Sequence, residues 1–172
     1  MLSVLIITQN SEKRLAHTLS ALVPAVVDGL LRRVIVVDQG SSDETRLVAE
    51  GAGCALYGGD ELSVALGTVR TQWLMILQPG AILSDVWTDA VRRHMEAGSS
   101  AARFTLAHEQ RFGPIGRLFA KKPSLDAGLL VKVDALKPVP SSRSALEDLP
   151  VQLKPLRLPP IITPPETTKG GA

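Results

Sequence analysis

The chain has 172 residues, of which 45% are hydrophobic and 21% charged, and a formal net charge of +2. This is the balance of a globular domain with one substantial core. Scattered basic residues and 3% aromatics exclude an extended nucleic-acid footprint and base-stacking platforms, and leave only a weak local attraction to anionic lipid.

Leu2–Thr8 is a short apolar run that predicts a buried strand. No basic segment precedes it and Gln9-Asn10-Ser11-Glu12 cuts it short, so no signal peptide is expected. Asn10 or Ser11 is placed to cap a following helix, on which Leu15, Leu19, Leu22, Val23 and Val26 make an apolar face and Pro24 predicts a kink or an end. Val34–Val37 is a second buried strand. It stops at Asp38, and Gln39-Gly40-Ser41-Ser42-Asp43 reads as a turn into a helix over Glu44–Glu50, with Ser41 and Glu44 at capping-box spacing. A carboxylate at the tip of a buried strand, before a glycine turn into a helix, is where open α/β sheets place ligands.

Cys54–Tyr57 predicts a weaker third strand. Cys54 is the one cysteine, which excludes a disulfide framework and a cysteine zinc site and points to a small packed side chain. Gly58-Gly59-Asp60 is a turn, Glu61–Arg70 is helical in pattern, and Trp73–Leu77 is a strong buried strand stopped by Gln78-Pro79-Gly80. From Ser84 the spacing of Trp87, Ala90, Val91, His94 and Met95 predicts an amphipathic helix. His17, His94 and His108 are each solitary, without a second metal-type residue at helical spacing.

Strand and helix alternate through this half, which predicts parallel pairing with right-handed crossovers. The second half is less regular. Ala101–Leu106 and Gly128–Val133 read as strands, and Ile115–Ala120 as a helical turn or two before Lys121-Lys122-Pro123. Ser144–Leu149 reads as a short helix stopped at Pro150, and Leu156–Ile162 as an edge strand interrupted by Pro159-Pro160. One domain over residues 1–164 and a loose tail over 165–172 are expected. No apolar run nears the ~20 residues that span a bilayer. The expected location is the cytoplasm, with peripheral contact at the inner face of the membrane compatible with the charge.

In this order the segments resemble a family 2 glycosyltransferase of the GT-A fold over most of the chain. S-V-L-I-I-T-Q-N resembles the family's first strand, with Ile7 in place of a proline. V-I-V-V-D-Q-G-S-S-D-E-T is close to the family's V-V-D-x-G-S-x-D-x-T and is the most specific match. T-Q-W-L-M-I-L resembles the strand that leads to the metal site, D-A-G-L-L-V-K-V-D-A-L an acceptor-side strand, and A-L-E-D-L the segment that supplies the base.

The resemblance implies an α/β fold with a mainly parallel sheet flanked by helices. It also implies inverting transfer of a sugar from a UDP- or GDP-sugar to an acceptor that the sequence does not identify. Thr8 and Asn10 would lie near base and ribose, Asp38 would accept from the base N–H, and Asp148 would take the acceptor's proton. For Asn10 a helix cap, and for Asp38 a turn cap, are the structural alternatives. Where the family carries Asp-x-Asp, this chain has Gln78-Pro79-Gly80, so a divalent metal is not expected to bind by the family motif. Gln78, Asp126 and Glu147 are secondary site candidates. The alternative function is a catalytically degenerate domain that acts as a nucleotide-binding or protein-interaction module.

Overall fold

The computed structural model describes residues 1–98, 100–107, 124–137 and 139–165. The expected turns over Ile115–Ala120, the Lys121-Lys122-Pro123 stop, His108 and the tail beyond Pro165 lie outside them. β1 (Leu2–Thr8), β2 (Leu31–Asp38), β3 (Ala55–Gly58) and β4 (Trp73–Leu77) pair in parallel in the order β3-β2-β1-β4. The crossovers are α1 (Glu12–Val27), α2 (Thr45–Gly51) and α3 (Leu62–Gly67), the last entered through a 3₁₀ turn at Gly59–Glu61. The sheet continues from β4 through β7 (Leu129–Lys132), β6 (Ala102–Leu106) and β8 (Leu156–Thr163) to β5 (Ile82–Leu83). β6 and β8 are parallel, whereas β7 runs antiparallel to β4 and β6, and β5 antiparallel to β8. α4 (Trp87–Glu96) and α5 (Arg143–Leu153) complete the helices named here.

β1 shows why the first half is hydrophobic without alternation. Every residue of it is buried. Leu2, Val4 and Ile6 pack with Leu15 and Leu22 of α1 and with Met75 and Leu77 of β4, while Leu5 and Ile7 pack on the opposite face with Leu62 and Leu66 of α3 and Leu146 and Leu149 of α5. Two cores therefore sandwich one sheet, as the continuous apolar runs require.

The stripe on α1 differs from the sequence expectation. Leu15, Thr18, Leu22 and Ala25 are its buried residues, while Val23 and Val26 are each 56% exposed. The helix also runs through Pro24 to Val27. Pro24 and Ser20 both lie on the exposed side, where water can take the carbonyl that the proline leaves unpaired. Pro150 is likewise inside α5, which continues to Leu153 and ends at Lys154 with φ +47°.

β8 is not an edge strand, since it lies between β6 and β5. Its two prolines fit because the register jumps there. Arg103 pairs with Arg157 and Thr105 with Ile161, so Phe104 alone faces Leu158-Pro159-Pro160. The Thr105 hydroxyl donates to the Leu158 carbonyl at 2.7 Å inside this bulge.

Cys54 is partly buried against the core, and burial pushes its thiol up to about 11, which keeps it protonated and unreactive at neutral pH. His94 packs edge-on to Trp73 with ring centroids 5.7 Å apart. Among the described residues, no helix is long and apolar enough to cross a membrane.

The burial of α1 gives a direct test. Leu22→Ala should cost about 2–5 kcal/mol in urea denaturation, and Val26→Ala no more than about 0.5 kcal/mol. Comparable losses would place the valines in the core after all.

Candidate functional site

β1 and β2 end together. Thr8 pairs with Asp38 in the parallel register, and the Gln39 N–H donates to the Thr8 carbonyl at 2.9 Å. The two turns that follow are interlocked. The Asn10 N–H donates to Ser41 Oγ at 2.9 Å, and the Ser42 N–H returns a bond to Asn10 Oδ1 at 2.8 Å. Asn10 adopts φ +44°, a left-handed conformation that asparagine tolerates better than most residues.

The start of α1 is satisfied from outside the helix. The Ser11 N–H donates to Thr45 Oγ1 at 2.8 Å and the Glu12 N–H to Asp43 Oδ2 at 3.3 Å. Neither Asn10 nor Ser11 places a side chain on the helix as a cap. The expected Ser41–Glu44 capping box does not form either, because α2 begins at Thr45 and the Ser41 hydroxyl is turned to Asp38. Asp43 accepts from both the side chain and the N–H of Thr45. The Thr45 hydroxyl, first, and these backbone bonds hold the Asp43 carboxyl below its usual range.

Asp38 is enclosed, with no side-chain exposure. One carboxylate oxygen takes the Ser41 hydroxyl, and the other takes the Ser41 N–H at 3.1 Å and Arg46 Nη1 at 3.4 Å. Its neighbour Thr8 is the opposite case. Thr8 is 1% exposed, and its hydroxyl has no hydrogen-bond partner among the described residues.

The second part of the site forms where β4 ends. The Ala81 N–H donates to the Gln78 carbonyl at 3.1 Å, Pro79 takes the second position, and Gly80 has φ +94°. These are the marks of a type II turn. The turn is pinned to α1 by Gly80 N–H donating to Thr18 Oγ1 at 2.8 Å. A Cβ at residue 80 would lie 2.9 Å from Pro165 Cβ and 3.3 Å from Arg14 Cβ. Pro165, assigned to the loose tail from the sequence, thus lies against this turn.

Gln78, Leu125, Asp126, Arg143, Glu147 and Pro165 line an open hollow of about 360 Å³. Ser124 Oγ donates to Asp126 Oδ2 at 3.0 Å, and Arg143 Nε donates to Glu147 Oε1 at 2.8 Å.

The structure therefore gathers Thr8, Asn10 and Asp38 at one pair of strand ends, and Gln78, Asp126 and Glu147 around the hollow. Asp148 is exposed on α5, one position after Glu147, and is not among the lining residues. Sequence reasoning missed two arginines. Arg46 follows the turn motif on α2 and reaches back to Asp38. Arg143 stands four residues before Glu147, a helical pairing distance that was the available signal.

Residues 3–56 match the family model described as Glycosyl transferase family 2. This segment runs from β1 to the start of β3. No curated protein matches the chain in sequence. Among solved structures, glucosyl-3-phosphoglycerate synthase from Mycobacterium tuberculosis in complex with Mg²⁺ and uridine diphosphate aligns with TM-score 0.68 and 15% identity, over 97% of this chain and 72% of its own. The same enzyme with Mn²⁺ and UDP-glucose aligns with TM-score 0.68 and 15% identity, over 98% and 72%. Its complex with phosphoglyceric acid gives TM-score 0.67 and 16% identity, over 97% and 72%. The chain has the GT-A fold of these structures, and the segment from β1 into β3 is the part that carries the family 2 match.

The lowered carboxyl of Asp43 sets a pH dependence. Its stabilising effect is full above the ordinary carboxyl value of 3.8 and is lost as pH falls through the lower folded value. Asp43→Asn should therefore flatten the stability–pH profile below about pH 4 relative to wild type. Profiles of equal slope would show that Asp43 is not the linked group.

Proposed function

We propose that the chain binds a nucleotide sugar at the ends of β1 and β2, a UDP-sugar before a GDP-sugar, and transfers the sugar with inversion to an acceptor hydroxyl. The observation that carries this reading is the buried, unpartnered hydroxyl of Thr8 beside Asp38. Such a group costs about 1–3 kcal/mol when nothing bonds to it, and a nucleobase or ribose would supply the partner. The family 2 match covers the same strand ends, and the aligned structures are of an enzyme whose complexes contain UDP and UDP-glucose. A base N–H would reach the Asp38 carboxylate by displacing the Ser41 hydroxyl or Arg46. Asn10 keeps the turn in shape and borders the ribose.

In the transfer, the acceptor oxygen forms a bond to the anomeric carbon as the bond from that carbon to the phosphate oxygen breaks. The electron pair of the broken bond leaves with the nucleoside diphosphate, and the acceptor's proton passes to a carboxylate. Asp148 takes this role. It makes no hydrogen bond or ion pair among the described residues, whereas Glu147 is held by Arg143. About 100° of helix rotation separates the two side chains. On this reading the donor lies on the Glu147 side of α5 and the acceptor approaches on the Asp148 side.

A second reading has its own observation. The uncharged turn at Gln78-Pro79-Gly80, with no carboxylate for a metal to steady a leaving diphosphate, favours a domain that binds a nucleotide without turnover.

Calorimetry and a transfer assay separate these readings. UDP should bind, and Thr8→Val should weaken it about tenfold. Asp148→Asn should keep UDP binding and lower transfer by about 100-fold or more. Binding with no turnover of any donor would establish the second reading. No binding of UDP or GDP at millimolar concentration would end both.

A further inference from the structure

Several of the aligned structures hold Mg²⁺ or Mn²⁺ together with UDP. Such hard cations take several oxygen ligands, with carboxylates supplying the charge. The residues of this chain do not fit one. At the β4 exit, Gln78 offers a neutral amide, Pro79 a ring, and position 80 has no room for any side chain. Among the described residues, no group of three His, Cys, Asp or Glu side chains is placed to hold a metal. The two carboxylates at the hollow already have partners, Asp126 the Ser124 hydroxyl and Glu147 the Arg143 guanidinium. The Arg143 guanidinium offsets one of the two carboxylate charges there.

We infer that Arg143 takes the place of the divalent cation and binds the donor's diphosphate in this hollow. The inference rests on the nucleotide-sugar reading above. Arg143 Nε is held by Glu147 at 2.8 Å, which orients the guanidinium plane. Nη1 and Nη2 make no hydrogen bond among the described residues, and the side chain is 43% exposed. A planar fork of N–H groups, charged at any working pH, matches two phosphate oxygens at once.

Its place on the helix adds to this. Arg143 is the first residue of α5, an eleven-residue helix capped by Ser142, whose side chain accepts from the Ala145 N–H. The helix dipole adds partial positive charge at that end. Gln78, across the hollow, can donate from its amide. Glu147 is thus a positioning residue for Arg143. The leaving diphosphate gains negative charge as its bond to the sugar breaks, and a fixed cation stabilises that charge without a metal.

Calorimetry with UDP and with uridine, each in EDTA and in excess MgCl₂ or MnCl₂, tests the inference on the full chain. The wild-type Kd for UDP should agree within about threefold across these conditions. Arg143→Ala should weaken UDP about tenfold and leave uridine unchanged, with Arg143→Lys between the two. Circular dichroism checks that the variants fold, and the metal comparison needs no variant. A wild-type UDP affinity that rises tenfold or more with metal would overturn the inference. So would Arg143→Ala binding UDP as wild type does, or wild type binding UDP no better than uridine. If wild type binds neither UDP nor uridine, the nucleotide reading itself fails.

Discussion

The parallel register between β1 and β2 is the constraint on which the rest of this molecule depends. It brings Thr8 level with Asp38, so both strands surrender their last side chains to the same place. The register is fixed because both faces of β1 are buried. A slip by one residue would exchange the two core surfaces and is therefore strongly disfavoured. The position of the polar strand ends follows from apolar packing several residues away.

The interlocked turns show how a small domain stiffens such a place. Each loop satisfies the other's backbone groups: Asn10 serves Ser42, Ser41 serves Asn10, and Asp43 and Thr45 serve the start of α1. Helix starts need external acceptors for their first N–H groups, and here a neighbouring βα loop supplies them. The motif residues of the D-Q-G-S-S-D-E-T segment therefore have a structural role before any ligand arrives. The part of the site around Gln78 is built differently. It is open, carries two carboxylates and one guanidinium, and is bordered by side chains from the turn after β4, from α5 and from Ser124–Asp126.

Much of the fold was legible. β1 and β4 agree with the sequence reading to the residue, because each is a continuous apolar run ended by residues that favour turns. The α1 stripe was misplaced because valine is apolar wherever it stands, and the buried side of a helix is set by the sheet it covers. Pro159-Pro160 argued against an interior strand, and only the bulge opposite Phe104 resolves that. At the site, Thr8, Asn10 and Asp38 were readable as neighbours from strand order. The pairing of Arg143 with Glu147 was less visible, since an i,i+4 ion pair on an exposed helix surface is commonplace. Nor does the sequence reveal that Asp38 is fully enclosed, which depends on Ser41 turning inward and Arg46 folding back.

The turn at Gly80 also limits which side chains this corner can carry. A single substitution could place a carboxylate at position 78, which is only partly buried. Position 80 is closed to the same change. Its backbone conformation suits glycine, and even a Cβ would meet Pro165 and Arg14. An acid there would require the turn, the start of α1 and the chain after β8 to move together. Intermediates with only some of those changes would lose stability with no ligand set to show for it. An acid pair at 78 and 80 is therefore more than two substitutions away, because α1 and Pro165 together hold position 80 to glycine.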